Sequence, residues 1–282
     1  MNGNALYDLV RETPQIATLP SVYTELSRLI SLRDGNATNV ARVVSMDPGL
    51  TVRLLRMVNS PFYGFTHRID TVTHAVSVIG FEQLKQLALA TTVVQMFRAM
   101  PEHLINMESY WRHSVATAIC SRFLGRLLRF NNVERMFVTG LLHGVGSLVI
   151  CINRPKLARR VFIRVRNSDQ TLHEVERDLL GFDHADVAAA LMKKWSLSPA
   201  QIEAVGYKHR PSEAPKFAKE ASILHLSNIV ASSLNMGSIG GHAVAPMDEE
   251  AWESLGLNPA TMTSAVWEIE DQFEDLLRVF SS

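Results

Sequence analysis

Apolar residues recur at helical spacing along almost the whole chain, and the strict alternation of a half-buried strand between turn signals is missing. That period restricts the chain to an all-α fold. Val22, Leu26, Leu29 and Ile30 share one helix face, which stops before the turn dipeptide Asp34-Gly35. Asp47-Pro48 is an N-cap followed by a first-turn proline, and it opens a helix with Leu50, Leu54, Leu55 and Val58 facing inward. Asn59-Ser60-Pro61 ends that helix, because the residue before proline is pushed out of helical geometry. Asp70 or Thr71 caps the next helix, Gly80 fits the position that closes it, and Phe81 to Arg98 continues as another. These elements are helix punctuation and predict structural roles for Asp47, Asn59 and Gly80.

The break at Ala99-Met100-Pro101 divides the chain into residues 1–103 and 104–282, two packed helical subdomains. In the second part, Tyr110 to Leu128 is a helix with Val115, Ile119, Phe123 and Leu127 as its stripe and His113 beside it. The run from Phe137 to Ile152, FVTGLLHGVGSLVICI, then places one imidazole, His143, inside an apolar segment. A buried hydrogen-bonding group without a partner costs about 1 to 3 kcal/mol, so His143 must meet a side chain, a backbone group, a water or a metal. Thr171 begins a helix that ends at Gly181, and Asp183 with Asp186 forms a capping box that leaves His184 on the first turn of the next. Pro199 opens a short helix toward His209, and Ala214 to Leu234 forms a longer one containing His225. The loop from Asn235 to Pro246 holds three glycines but lacks the ending of a phosphate loop. Asn258-Pro259 caps a final helix with Met262, Val266, Ile269 and Phe273 inward.

Charge excludes one class of function. The 28 Lys plus Arg equal the 28 Asp plus Glu, so no overall field draws a polyanion or an acidic membrane surface, and no nucleic-acid partner is expected. Cys120 and Cys151 share no metal or redox spacing and read as buried small hydrophobes in a reducing compartment. No signal-peptide core opens the sequence and no window reaches the roughly 18 uninterrupted apolar residues of a spanning helix, which predicts a cytoplasmic protein without a membrane partner.

LPSVYTELSRLI, MDPGLTVRLLRMVNSPFYG and IDTVTHAVSVIGFEQLKQLALA, between about residues 19 and 92, resemble the N-terminal half of the HDOD family, the HD-related output domains of bacterial signalling proteins. WRHSVATA, GLLHGVG, GFDHADVAAALMKKW and YKHRP, from about residue 111 to 211, resemble its HD-like second half, so the signature covers about residues 16–212. The resemblance implies a second subdomain that is a degenerate HD bundle. In catalytic relatives the positions of His113, His143, His184 and His209, with an Asp after the second His and another in a later helix, hold divalent cations that activate water on a phosphoester. Here those carboxylate positions carry Gly144 and, in ILHLSNIVA, Asn228. A carboxylate offsets repulsion between two cations and orients the attacking water, which neutral imidazoles and an amide oxygen do not do.

The expectation is therefore a signal-transduction module that is not an enzyme, needs no cofactor and works by binding a protein partner. Two alternatives stay open: a metal-dependent phosphohydrolase or phosphodiesterase on nucleotides or cyclic dinucleotides, and a sensor that binds a nucleotide without hydrolysing it. A single divalent metal on the four histidines is compatible with zinc chemistry. The other marked feature is the helix RPKLARRVFIRVR, which holds Arg154, Lys156, Arg159, Arg160, Arg164 and Arg166 and no acidic residue. It forms a candidate anion or partner face, or a dock for the acidic segment 247–282, which holds nine acids against one base, Arg278.

Overall fold

A computed structural model describes residues 3–12, 14–31, 36–98, 104–241 and 243–281, and every regular element among them is a helix. Asp34-Gly35 and the break at Ala99-Met100-Pro101 lie outside the described residues. The chain divides into two compact units, Met1–Thr18 with Ala99–Ile269 and Leu19–Arg98 with Glu270–Ser282. A single cut at residue 103 is thus replaced by two discontinuous units. The physical reason lies in α1 (Gly3–Arg11) and α2 (Pro14–Ala17). Leu9, Val10, Ile16 and Ala17 are buried, Asn153 Nδ2 donates to Leu9 O at 2.9 Å, and the Trp195 indole donates to Ile16 O at 2.9 Å.

The unit that starts at Leu19 holds α3 (Ser21–Ser31), α4 (Ala37–Ser45), α5 (Pro48–Val58), α6 (Val72–Ile79) and α7 (Phe81–Phe97). Its centre is α7, where Leu84, Leu87, Ala88 and Val93 are fully buried against α3 and α5. The Asp47 carboxylate accepts from Leu50 N at 2.9 Å, as the N-cap assignment requires. Asn59 does more than end a helix. Its amide nitrogen donates to Leu55 O and Ile69 O at 2.8 and 2.7 Å, and its oxygen accepts from Ile69 N at 2.7 Å, which clamps the intervening loop.

The larger unit contains α8 (Met107–Leu127), α9 (Val133–Leu142), α10 (Val145–Asn153), α11 (Pro155–Arg166) and α12 (Leu172–Leu180). It continues through α13 (His184–Lys194), α14 (Pro199–Gly206), α15 (Ala218–Ser233) and α16 (Glu249–Leu255), while α17 (Ala260–Ser281) runs on from it into the other unit. The stretch Val133–Asn153 is long and apolar enough to cross a membrane by composition, yet 89% of its most apolar 18-residue window is buried inside this protein. It also breaks in two, because the His143 ring bonds the Gly140 carbonyl at the end of α9 and α10 starts after Gly144. At Gly146 a Cβ would collide with His184 O and lie 2.8 Å from Ala188 N, so α10 and α13 touch backbone to backbone and only glycine fits. The expected α8 stripe holds at Val115 and Ile119, but Leu127 is 49% exposed and Leu124 is buried instead. Steps of four residues advance about 40° around a helix, so a strict four-residue stripe rotates away from the core. In α17 Ile269 and Phe273 face inward as expected and Ala265 joins them, whereas Met262 and Val266, in the first two turns, are half-buried.

Candidate functional site

Helix termini carry most of the functional side chains. Asp183 accepts from Ala185 N and Asp186 N at 2.7 and 3.0 Å, and Asp186 accepts from Asp183 N at 3.1 Å, which fixes the start of α13 and the orientation of His184. Glu176, buried on α12, then receives both the backbone N–H and the Nδ1 side of His184, at 2.8 and 2.6 Å. The opposite edge of that ring meets His209, with the two Nε2 atoms 3.2 Å apart, and His209 stacks on His173 with centroids 4.0 Å apart. His113, on α8, and Asn228, on α15, meet through Nε2 and Oδ1 at 3.0 Å. His113, His173, His184, His209 and Asn228 line a cleft of about 240 Å³, completed by Thr171, Leu172, Ser238 and Ile239 among others.

His143 stands behind this cleft, fully buried, with its ring centroid 5.3 Å from that of His113. Its Nδ1 is 2.6 Å from Gly140 O, and because a carbonyl only accepts, the proton sits on Nδ1. By the same reasoning His113 carries its proton on Nε2, toward the amide oxygen. His143 Nε2 and His113 Nδ1 are then buried lone pairs with no partner among the described residues. All four expected histidines are thus brought into one neighbourhood, three on the cleft and His143 behind it.

Burial sets the electrostatics. It lowers His113 to about 4 and His184 to about 3, and holds His143 well below the ordinary imidazole value, with the Lys208 ammonium adding to each shift. Burial also raises the Glu176 carboxyl to about 8 and lowers Lys208 to about 7. Lys208 is buried with its Nζ donating to His143 O at 3.0 Å, and its own carbonyl meets the His225 ring at 2.8 Å. Sequence reasoning missed Lys208, Glu176 and His173. Glu176 could have been found as an acid on the inward face of a helix, four residues after Leu172 and one after Val175.

The residues present do not fit a metal pair. A Cβ on Gly144 would meet Ile239 Cδ1 at 2.8 Å and the Tyr110 ring at 3.2 Å, so the position that would project a carboxylate is filled by apolar atoms. Asn228, bonded to His113, brings a neutral amide where a second carboxylate would stand. No group of three or more His, Cys, Asp or Glu among the described residues is arranged to hold a metal ion. On α11 Lys156, Arg159, Arg160, Arg164 and Arg166 are exposed, and Arg154, which precedes it, is half-buried. Arg154 pairs with Glu12 at 2.5 Å and Arg164 with Asp178 at 2.7 Å, neither of them in the acidic segment 247–282.

The model of the HDOD domain matches residues 16–211. The chain is similar to an HDOD domain protein of unknown function from Geobacter sulfurreducens, with 23% identity, 99% and 98% of the two chains covered and a TM-score of 0.78. A protein from Shewanella amazonensis that carries the provisional name phosphohydrolase gives 23% identity, 98% coverage of both chains and a TM-score of 0.77. One from Marinobacter aquaeolei, provisionally named a signal transduction protein, gives 21%, 94% of this chain, 60% of that one and 0.70. An uncharacterised protein from Treponema pallidum is 22% identical over 213 residues, 75% of this chain; the chain spans 40% of the length of that curated relative. At these identities the solved structures show the fold.

Proposed function

Because the chain belongs to the HDOD family, we propose that it is a cytoplasmic regulatory module that performs no hydrolysis and passes its signal by binding another protein. The observation that carries this reading is the apolar filling beside Gly144, where Ile239 and Tyr110 take the space a metal-bridging carboxylate would need. Asn228 supports it, since a neutral amide bonded to His113 cannot balance cationic charge. The cleft favours a second reading, a sensor that holds a nucleotide or other small molecule without cleaving it. Its lining offers such a ligand polar groups on His209, Asn228, Ser232 and Ser238.

Two assays test the non-catalytic reading. The chain supplied with manganese, iron or magnesium should leave cyclic dinucleotides intact; turnover that His143→Ala abolishes would overturn the proposal. A chelator should leave the melting temperature of the purified protein unchanged. A fall reversed by one equivalent of zinc, manganese or iron would replace the hydrogen-bonded histidine network with a metal site.

A further inference from the structure

The face of α11 turned to solvent combines two things that sit together poorly on a free surface. Ile163 is 54% exposed at its centre, and the flanking Arg159 and Arg166 border a groove of about 260 Å³ whose floor includes Phe162. Lys156, Arg159, Arg160 and Arg166 have no acidic partner among the described residues. A cationic rim around an apolar floor selects an occupant with a large apolar anchor and carboxylates about one to two helical turns away.

The chain itself carries such a strip. On α17, Trp267 is 67% exposed, and Glu270, Asp271 and Glu274 are exposed at three, four and seven residues beyond it, on the same side of the helix. Trp267 to Glu274 and Arg159 to Arg166 are each separated by seven residue steps, about 10 Å at 1.5 Å per step, so the two strips match in length as well as in charge. We propose that the α11 face of one copy receives the Trp267 strip of a second copy, with the indole against Phe162 and Ile163 and the carboxylates beside Arg159 and Arg166. Tryptophan and arginine are the side chains that most often dominate interfaces, and the guanidinium groups can also lie over the indole face. The association goes beyond the regulatory reading and does not depend on whether the histidine cleft is catalytic.

Analytical ultracentrifugation of the full chain tests this. In about 50 mM salt the average mass should rise above that of one chain as concentration approaches about 200 µM, and about 500 mM salt should weaken association at least tenfold by screening the rim charges. Trp267→Ala and the double variant Arg159→Glu/Arg166→Glu should each weaken self-association about tenfold or more, with unchanged circular dichroism and melting temperature. The two variants retain opposite halves of the contact, so an equal mixture should form one-to-one complexes that neither forms alone. A monomer at about 200 µM in low salt, association that either variant leaves intact, or a mixture no more associated than its components overturns the proposal. So does a monomer whose basic face binds vesicles of anionic phospholipid instead.

Discussion

Replacing His143 with leucine tests whether the buried imidazoles make the fold acid-labile. In the folded chain the ring is fully buried, its bonded nitrogen Nδ1 faces Gly140 O, and the Lys208 ammonium nearby opposes an added proton. Its folded value lies well below 6.5 because burial disfavours the imidazolium, so between the two values the unfolded chain binds the extra proton. Stability is therefore fully present above about 6.5 and falls as pH drops below it, by about 1.4 kcal/mol per pH unit for this one ring. At pH 5 that amounts to about 2 kcal/mol relative to neutral pH. Leucine has similar volume and no titrating group. Near neutral pH His143→Leu should be less stable by about 1 to 2 kcal/mol, because the Gly140 carbonyl loses its partner. The deficit should shrink on acidification and approach zero at about pH 5 to 5.5. The raised Glu176 carboxyl contributes a slope of opposite sign, but in both proteins, so it cancels in the difference. Urea unfolding of both proteins at several pH values between about 7.5 and 5 gives the two curves, with equal m-values required for the comparison. Parallel curves would show that His143 is not held neutral in the folded state.

Gly146→Ala should destabilise by at least about 1 to 3 kcal/mol, because both atoms its Cβ meets first, His184 O and Ala188 N, are backbone and cannot swing aside. Calorimetry giving a melting temperature within a degree of the parent would contradict the close approach of α10 and α13. Asp47→Ala removes the acceptor for Leu50 N and should lower stability by about 0.5 to 2 kcal/mol while leaving partner binding intact in the folded protein. Unchanged stability with lost binding would move Asp47 from the fold to a binding surface.

The helices were legible because their signals are local. Asp47-Pro48, Thr71, Asp183 with Asp186 and Asn258 each act on backbone groups two or three residues away, and each does so in the structure. The four histidine contexts were legible through motif order, although their partners were not. Nothing near Gly144 in the sequence announces Ile239 or Tyr110 beside it, and Lys208 inside YKHRP reads as an ordinary surface cation until the fold buries it under His143. His173 and His225 matched no motif, yet one stacks on His209 and the other accepts from Asp248 N while bonding the Lys208 carbonyl. Each of these contacts joins segments separated in sequence, where periodicity carries no information.

Neither unit is continuous along the chain, and this orders events during synthesis. The Ile16 carbonyl waits for an indole made 179 residues later, and the helices between Leu19 and Arg98 leave the ribosome long before Glu270–Ser282 can join their unit. Closing such long loops weakens final stability only slightly, since the entropy grows with the logarithm of loop length, but it slows the search for native contacts. Until α17 is made, partial chains expose apolar faces that need guarding from aggregation. Removal of either terminus from the finished protein should therefore injure residues far from the cut, and the stretch from Leu19 to Arg98, excised alone, would lack part of its own unit.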